Sequence, residues 1–470
     1  MRKTLPAMFV LLLACANSKA QSAFFTATDL DAQLDQNAGL GAPGGAQQGP
    51  TPFGYGQQPV VRFAGDNAPQ NEFIFSLHDA TGYDSRVYGS DQLPIGDFYT
   101  AVGPHLAFLA TRKHLSLSLD YDPFFTFYKK TSNRDALNQT LTFNGGYQVT
   151  PRFQLGVRDT AASYYFGFLG GYSQALVPPL GPPSGVNPIF VNPETRTTSN
   201  ISRLDLIFNK SDRTMIDVFG GYTTLTYGNQ VANRGAYNNL QGVTGGLEYR
   251  YRVSARGSFS LTYSWDNSHS QFIENSYRSQ INSLNLSYAY QISPATTVSF
   301  WAGPTYTLLR SSLIVQGPPG GANQSVPVHR TQWNESFGGT VTRSTRITTI
   351  SLLVSRETSA GGGFVPAEST TSAALTVSRR LVLGWQATTG LAYGRLQLLS
   401  FGGLYSGIYD TEAGSASLSH KLGERASIAF DYTHQRQRSG AGNTYRFADL
   451  DRNTAGISFN WDIAKVPLGH

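Results

Sequence analysis

Short runs of alternating apolar and polar residues fill the chain from Phe73 to Trp461. In Ser258–Trp265 (SFSLTYSW), Phe259, Leu261, Tyr263 and Trp265 fall on one face, and Ser258, Ser260, Thr262 and Ser264 on the other. Ser283–Ile292 repeats the pattern, setting Leu284, Leu286, Tyr288, Tyr290 and Ile292 against Ser283, Asn285, Ser287, Ala289 and Gln291. A period of two describes a strand whose two faces meet unlike surroundings. Eighteen such segments can be marked between residues 73 and 463, with sixteen as the alternative count and no helical segment among them. They predict an all-β fold, a transmembrane antiparallel up-and-down β-barrel.

The connections sort into two alternating kinds. Thr111–His114, Val149–Arg152, Asn209–Arg213, Val253–Gly257, Ser293–Ala295, Arg343–Arg346, Ser378–Arg380 and Leu422–Arg425 are short. The others are mostly longer, among them Leu169–Arg196, with six prolines, and Leu313–Val328. Short periplasmic turns and long outer loops are the wiring of bacterial outer-membrane barrels, whereas a sandwich or propeller does not sort its loops by parity. An even strand count puts both barrel ends on the periplasmic side. The first strand must then pair with the last, because an open edge in lipid leaves backbone groups unsatisfied.

The residues before the barrel read as an export signal and a leader. Arg2 and Lys3 precede a short apolar core, Leu5–Ala14, and Ser18-Lys19-Ala20 offers small residues before a cleavage point. The expected organisation is a signal peptide over 1–20, a disordered Gly/Pro/Gln-rich periplasmic leader over 21–72, the barrel over 73–463 and a tail over 464–470. Within the leader, Thr26–Asn37 could form one short helix. Leu12-Leu13-Ala14-Cys15 offers the alternative of a lipoprotein box with Cys15 lipidated, although Leu13 is large for its place in it. Cys15 is the only cysteine, so the mature domain has no disulfide.

Composition agrees with one large barrel rather than several soluble domains. Charged residues are 14%, well below the roughly 25% usual in soluble proteins, and Gly (49), Phe (28) and Tyr (25) are plentiful. Removing Arg2, Lys3 and Lys19 from the 36 basic residues leaves 33 against 30 acidic ones, a net of +3. No Lys/Arg cluster points to nucleic acid as a partner.

With the apolar parity assigned to lipid, the opposite parity supplies lumen-facing candidates: Asp120, Asp122, Arg203, Asp205, Asp217, Glu248, Arg250, Arg252 and Asp431. An Arg or Lys on the lipid face would cost about 2–4 kcal/mol near the midplane. Mixed signs suggest solvated wall residues or ion pairs across a wet pore, with a defined solute-binding constriction as the sharper alternative. Phe124, Phe125, Phe127, Tyr128, Tyr164, Tyr165, Phe166, Phe168, Trp265, Trp385 and Trp461 are the candidates for interfacial aromatic girdles. No catalytic constellation, cofactor motif or metal-ligand spacing stands out; His269 and His434, near Asp266 and Asp431, read as plain polar residues. Gly361–Gly363 has no following helix and is not a phosphate cradle.

Two stretches carry a family resemblance. Thr454, Gly456, Phe459 and Trp461 in TAGISFNW resemble the terminal assembly signal of bacterial outer-membrane proteins, though nine residues follow Trp461. Gly456, Phe459 and Trp461 would then dock on the barrel-assembly machinery. Gly82-Tyr83-Asp84-Ser85-Arg86-Val87-Tyr88 resembles the opening of β-barrel porins associated with exopolysaccharide loci, with Arg86 where that pattern has Asn. The resemblance implies a non-enzymatic barrel in outer-membrane lipid that passes small hydrophilic solutes. Its alternatives are a barrel that serves polysaccharide export beside a periplasmic partner, and an adhesin or structural barrel. Some 50 residues before the barrel are too few and too polar for the folded plug of an energised receptor.

Overall fold

The computed structural model describes residues 70–88, 91, 94–165, 196–228, 239–271, 276–315, 324–359, 367–399, 407–423, 425–440 and 449–467. The expected signal peptide, Cys15, the leader helix, Phe166, Phe168 and Gly361–Gly363 lie outside them. Eighteen strands follow one another: β1 (Gln70–Asp84), β2 (Asp97–Thr111), β3 (Leu115–Tyr128), β4 (Ala136–Thr150), β5 (Phe153–Tyr165), β6 (Arg196–Ser211), β7 (Thr214–Tyr227), β8 (Asn239–Arg252) and β9 (Gly257–Gln271), then β10 (Ser276–Ser293), β11 (Thr296–Val315), β12 (Gln324–Ser344), β13 (Thr348–Ser359), β14 (Ala367–Arg380), β15 (Trp385–Leu399), β16 (Ile408–Lys421), β17 (Ala426–Ser439) and β18 (Leu450–Pro467). Each pairs antiparallel with its chain neighbours, and β1 also pairs with β18, so the sheet closes on itself. Closure removes every edge, which an all-strand wall requires where water cannot reach it.

The seam runs from Glu72↔Pro467 to Asp84↔Thr454, with one bulge at Phe75/Ser76. Pairing with β2 draws β1 back to Gln70, and the seam carries β18 to Pro467, three and four residues beyond the expected barrel limits. Alternation survives closure as a difference in exposure. Leu261 and Tyr263 are 43% and 46% exposed, while Ser260, Thr262 and Ser264 between and beside them are buried. A curved sheet spreads side chains on its convex face and crowds them on its concave face, so the buried polar set is the inner wall.

Two irregularities have identifiable causes. The β2–β3 ladder is interrupted between Val102↔Phe125 and Leu106↔Tyr121. Pro104 and Pro123 fall in this gap and have no N–H to donate. The β11–β12 hairpin is taller than the rest of the wall. It pairs up to Val315↔Gln324, while β13 stays paired with β12 only as far as Phe337↔Arg356. Much of the long loop expected over Leu313–Val328 is thus strand. Tyr277, Leu309, Ala367 and Leu399, with Val328 against them, form a buried apolar cluster that ties this end of β10–β12 to β14 and β15.

Candidate functional site

The densest array of inner-wall charge lies on β6–β8. Arg203 and Asp205 are two residues apart on β6 and therefore share a face; Glu248 and Arg250 repeat the spacing on β8. Arg203 Nε donates to Asp205 Oδ1 at 2.6 Å, and Arg250 Nη2 to Glu248 Oε1 at 2.6 Å. Asp217 of β7 sits directly opposite Glu248, a like-charge pairing that alone would be destabilising. Arg203 offsets it, with Nη2 3.5 Å from Asp217 Oδ2 and its guanidinium 4.3 Å from the Phe219 ring centroid. All five ionic side chains are buried, and Asp205, Asp217 and Glu248 have no exposure at all. The structure encloses these charges among wall side chains. Short same-strand pairs and a packed aromatic ring lie around these charges. Arg252 lies beyond them, half-buried at the last position of β8.

A second group, on β1–β3, brings together residues far apart in sequence. Ser76 faces His105 across the β1–β2 ladder, and Ser76 Oγ lies 3.3 Å from His105 Nδ1. His105 Nε2 lies 2.9 Å from Asp120 Oδ2. His78, fully buried, meets the His105 ring edge-on at 5.5 Å and lies 6.3 Å from the Phe124 ring. Asp122 is on the same inner face as Asp120, two residues along β3. Ser76, His78 and His105 carry no local motif, and only the strand register reveals them. The sole sequence signal is parity, since all three occupy inner positions of β1 and β2. Ser76 is buried with no exposure, so this Ser–His–Asp chain does not present a nucleophile.

A third group clasps the seam. Arg452 of β18 grips Asp84 of β1 with two guanidinium nitrogens, Nε at 2.9 Å and Nη2 at 2.5 Å, and both side chains are buried. Neighbouring residues of the Gly82–Tyr88 stretch continue the clasp. Ser85 Oγ accepts from the Asn453 N–H at 2.8 Å, and Arg86 Nε donates to Asp91 Oδ1 at 3.1 Å. Val87 packs into a buried cluster with Ala80, Tyr99, Ala101, Phe124 and Tyr128, and Tyr88 lies 4.3 Å beneath the Arg134 guanidinium. Gly82 pairs with Gly456, the glycine of the expected assembly signal. A Cβ on Gly82 would clash with the Ala455 carbonyl oxygen and stand 2.9 Å from the Gly456 Cα, so this seam position requires glycine, while one on Gly456 would be tight at 3.0 Å from the Thr81 carbonyl oxygen. Phe459 and Trp461 point outward, 39% and 48% exposed.

Elsewhere the inner wall is rich in hydroxyls, with carboxylates at Asp266 on β9 and Glu368 on β14. Ser260–Ser287, Ser268–Ser279, Ser283–Thr305 and Ser299–Thr340 are cross-strand hydroxyl pairs at 2.6–3.0 Å. Asp431 interrupts this wall on β17, accepting from Ser458 Oγ at 3.2 Å. The expected aromatic girdle needs a correction at two positions. Phe124 and Tyr128 are buried in the inner-wall cluster, because they share parity with Thr126, while Phe125 and Phe127 face outward. His269 and His434 are on the outer parity and Asp266 and Asp431 on the inner one, so neither histidine can meet its neighbour in sequence. Among the described residues no three His, Cys, Asp or Glu are grouped to hold a metal ion.

No family model matches the chain, and no curated protein sequence matches it. Several solved outer-membrane barrels are similar in outline. Pseudomonas aeruginosa OccK2 (OpdF) is 12% identical, with a TM-score of 0.37, covering 84% of this chain and 98% of its own. Pseudomonas aeruginosa OprD is 11% identical, with a TM-score of 0.38, covering 87% and 98%. Acinetobacter baumannii OccAB3 is 10% identical, with a TM-score of 0.38, covering 84% and 99%. The strand count and closure of the present barrel stand on its own pairings.

Proposed function

We propose that the protein is an outer-membrane channel that passes small hydrophilic solutes. The reading is carried by one observation: an eighteen-strand sheet closed by the β1–β18 seam, apolar outside and polar inside. An apolar exterior on a closed wall suits lipid. The wiring also suits the outer membrane, with two- to four-residue turns at the end that holds both barrel termini. Barrels of about sixteen to eighteen strands enclose more area than small wall side chains fill, and such barrels hold an aqueous channel. The paired charges on β6–β8 would then set a transverse field on the solute path without giving it one sign. In a channel of this kind Gly456, Phe459 and Trp461 serve recognition by the assembly machinery.

Polysaccharide export beside a periplasmic partner is the second reading, favoured by the Gly82–Tyr88 resemblance. In the structure those seven residues build the seam clasp, a role that either kind of channel needs. Planar-bilayer recording of the refolded chain tests the proposal. Discrete conductance steps are expected. A silent protein that conducts only when a periplasmic partner is added would favour export, and one silent under both conditions would sink the channel reading.

A further inference from the structure

The short-turn end of the barrel carries an unusual concentration of positive charge. Of the eight short turns, six hold an arginine: Arg112, Arg152, Arg213, Arg256, Arg346 and Arg425. The turn at 381–384 is preceded by Arg379 and Arg380, and only Pro294–Ala295 has no cation. All six arginines are exposed, and none forms an ion pair among the described residues. Asp212 is the one described carboxylate in these turns, and Glu424 lies outside the described residues. At the opposite end some cations have local partners: Arg86 pairs with Asp91, Arg395 pairs with Asp410, and Arg134 covers Tyr88.

The same turns expose aliphatic side chains. Val253, Ile347 and Leu422 each share a turn with one of the six arginines, and each is about half exposed. Val382 and Leu383, next to Arg379 and Arg380, are 79% and 85% exposed. Leu383 is also the only described non-glycine residue with a positive φ, 58°, a costly backbone state for a branched apolar side chain.

We infer that this ring of arginines binds anionic phospholipid headgroups in the leaflet that faces the short turns. The inference rests on the outer-membrane reading of the barrel, which assigns that end to the periplasmic leaflet. Three features select lipid over other anions. The cations are spread round the circumference, as an annulus of lipid requires, whereas a protein partner would need one clustered patch. Three of the six guanidinium groups, those of Arg256, Arg346 and Arg425, share their turn with an exposed aliphatic side chain, the pairing that suits a boundary between headgroups and acyl chains. The arginines also occupy turn tips rather than inner-wall positions, so they are not placed along a path for a polyanion through the lumen.

Trp385 and Trp461 supply reporters at this end, because Trp385 opens β15 and Trp461 pairs with the first residue of β17. With Trp265, Trp301 and Trp333 changed to Phe, the full chain is refolded into phosphatidylcholine vesicles, and quenching by brominated phosphatidylglycerol is compared with that by brominated phosphatidylcholine. The expected relative binding constant favours phosphatidylglycerol by about fivefold, the value for one cation at an anionic surface. It should fall toward one in molar salt. Changing the six arginines to Gln should abolish the preference and leave quenching by phosphatidylcholine unchanged, while the six Lys replacements should keep it. A ratio of one in the unaltered ring, or a preference that survives the Gln changes, overturns the inference. So does arginine-dependent block of conductance by an acidic polysaccharide in a protein with no lipid preference, which would assign the ring to a polymer. Absence of quenching by either lipid would instead remove the membrane reading itself.

Discussion

Arg452 and Asp84 show how a single buried contact can matter more in a barrel than its size suggests. They join the first and last strands, 368 residues apart in sequence. Removing one partner of a buried pair leaves an uncompensated charge and costs about 3–5 kcal/mol. Arg452→Ala is therefore expected to lower the urea midpoint of the folded barrel more than the double change Arg452→Leu with Asp84→Leu. If the double variant unfolds as early as the single one, the pair contributes more than mutual neutralisation. Outward positions follow lipid depth instead. Leu261→Arg should cost about 2–4 kcal/mol, and Val253→Arg, at the short-turn end, about 0–1 kcal/mol. Equal costs in an equilibrium unfolding titration would contradict the assigned facing.

At the scale of the element, β1 and β18 are the strands on which closure depends. Gly82 and Gly456 meet across the seam beneath the Tyr99 hydroxyl, and a Cβ at Gly82 would also strike the β18 backbone. Gly82→Val should block closure. In a gel of unboiled samples, the compact form should then be lost at a temperature where the parent protein keeps it. Phe459 and Trp461 lie on the outward face of β18, opposite Asp79 and Leu77 of β1, and the proposed assembly signal would act through that face at a different step. Changing both to Ser should leave folding in detergent intact and reduce insertion in cells, read as the membrane-bound fraction after expression. Normal insertion would move the recognition signal elsewhere in the chain. Among the other elements, β11 and β12 were expected to be shorter than they are. The Gly/Pro-rich stretch between them reads as a loop by composition, but the apolar cluster of Leu309, Val328, Ala367 and Leu399 favours continued pairing on both sides of it.

On the scale of the whole molecule, a closed sheet without edges is expected to unfold as one unit, because opening any seam exposes two rows of backbone groups. Heating should therefore give one sharp change in gel mobility, coincident with loss of the β-type circular dichroism signal. Two separated transitions would show that part of the wall, such as the taller β11–β12 hairpin, melts by itself. The inner wall carries its densest charge on β6–β8, while β9–β12 are lined mostly by hydroxyls, with Asp266 among them. Arg203→Gln leaves Asp205 and Asp217 beside Glu248 with less positive charge. If solute ions pass this array, the variant should become more cation-selective in reversal-potential measurements; an unchanged reversal potential would place the ion path elsewhere.

The strand count and the inward or outward parity of Arg203, Asp205, Leu204 and Leu261 were legible in the chain itself, because a period of two is a local property of each strand. Loop parity was equally local, since it needs only the lengths between strands. The partnership of Ser76 with His105, the contact of Arg203 with Asp217, and the seam of Gly82 with Gly456 depend on register between strands. Register is set by turn geometry between chain neighbours and, at the β1–β18 seam, by closure of the sheet, and no single strand encodes it. Parity gave the inward side of Asp120, Asp122, Phe124 and Tyr128 alike, but it could not tell how deeply the inner side chains are buried. That outcome comes from concave curvature, which crowds the side chains of the inner face against one another.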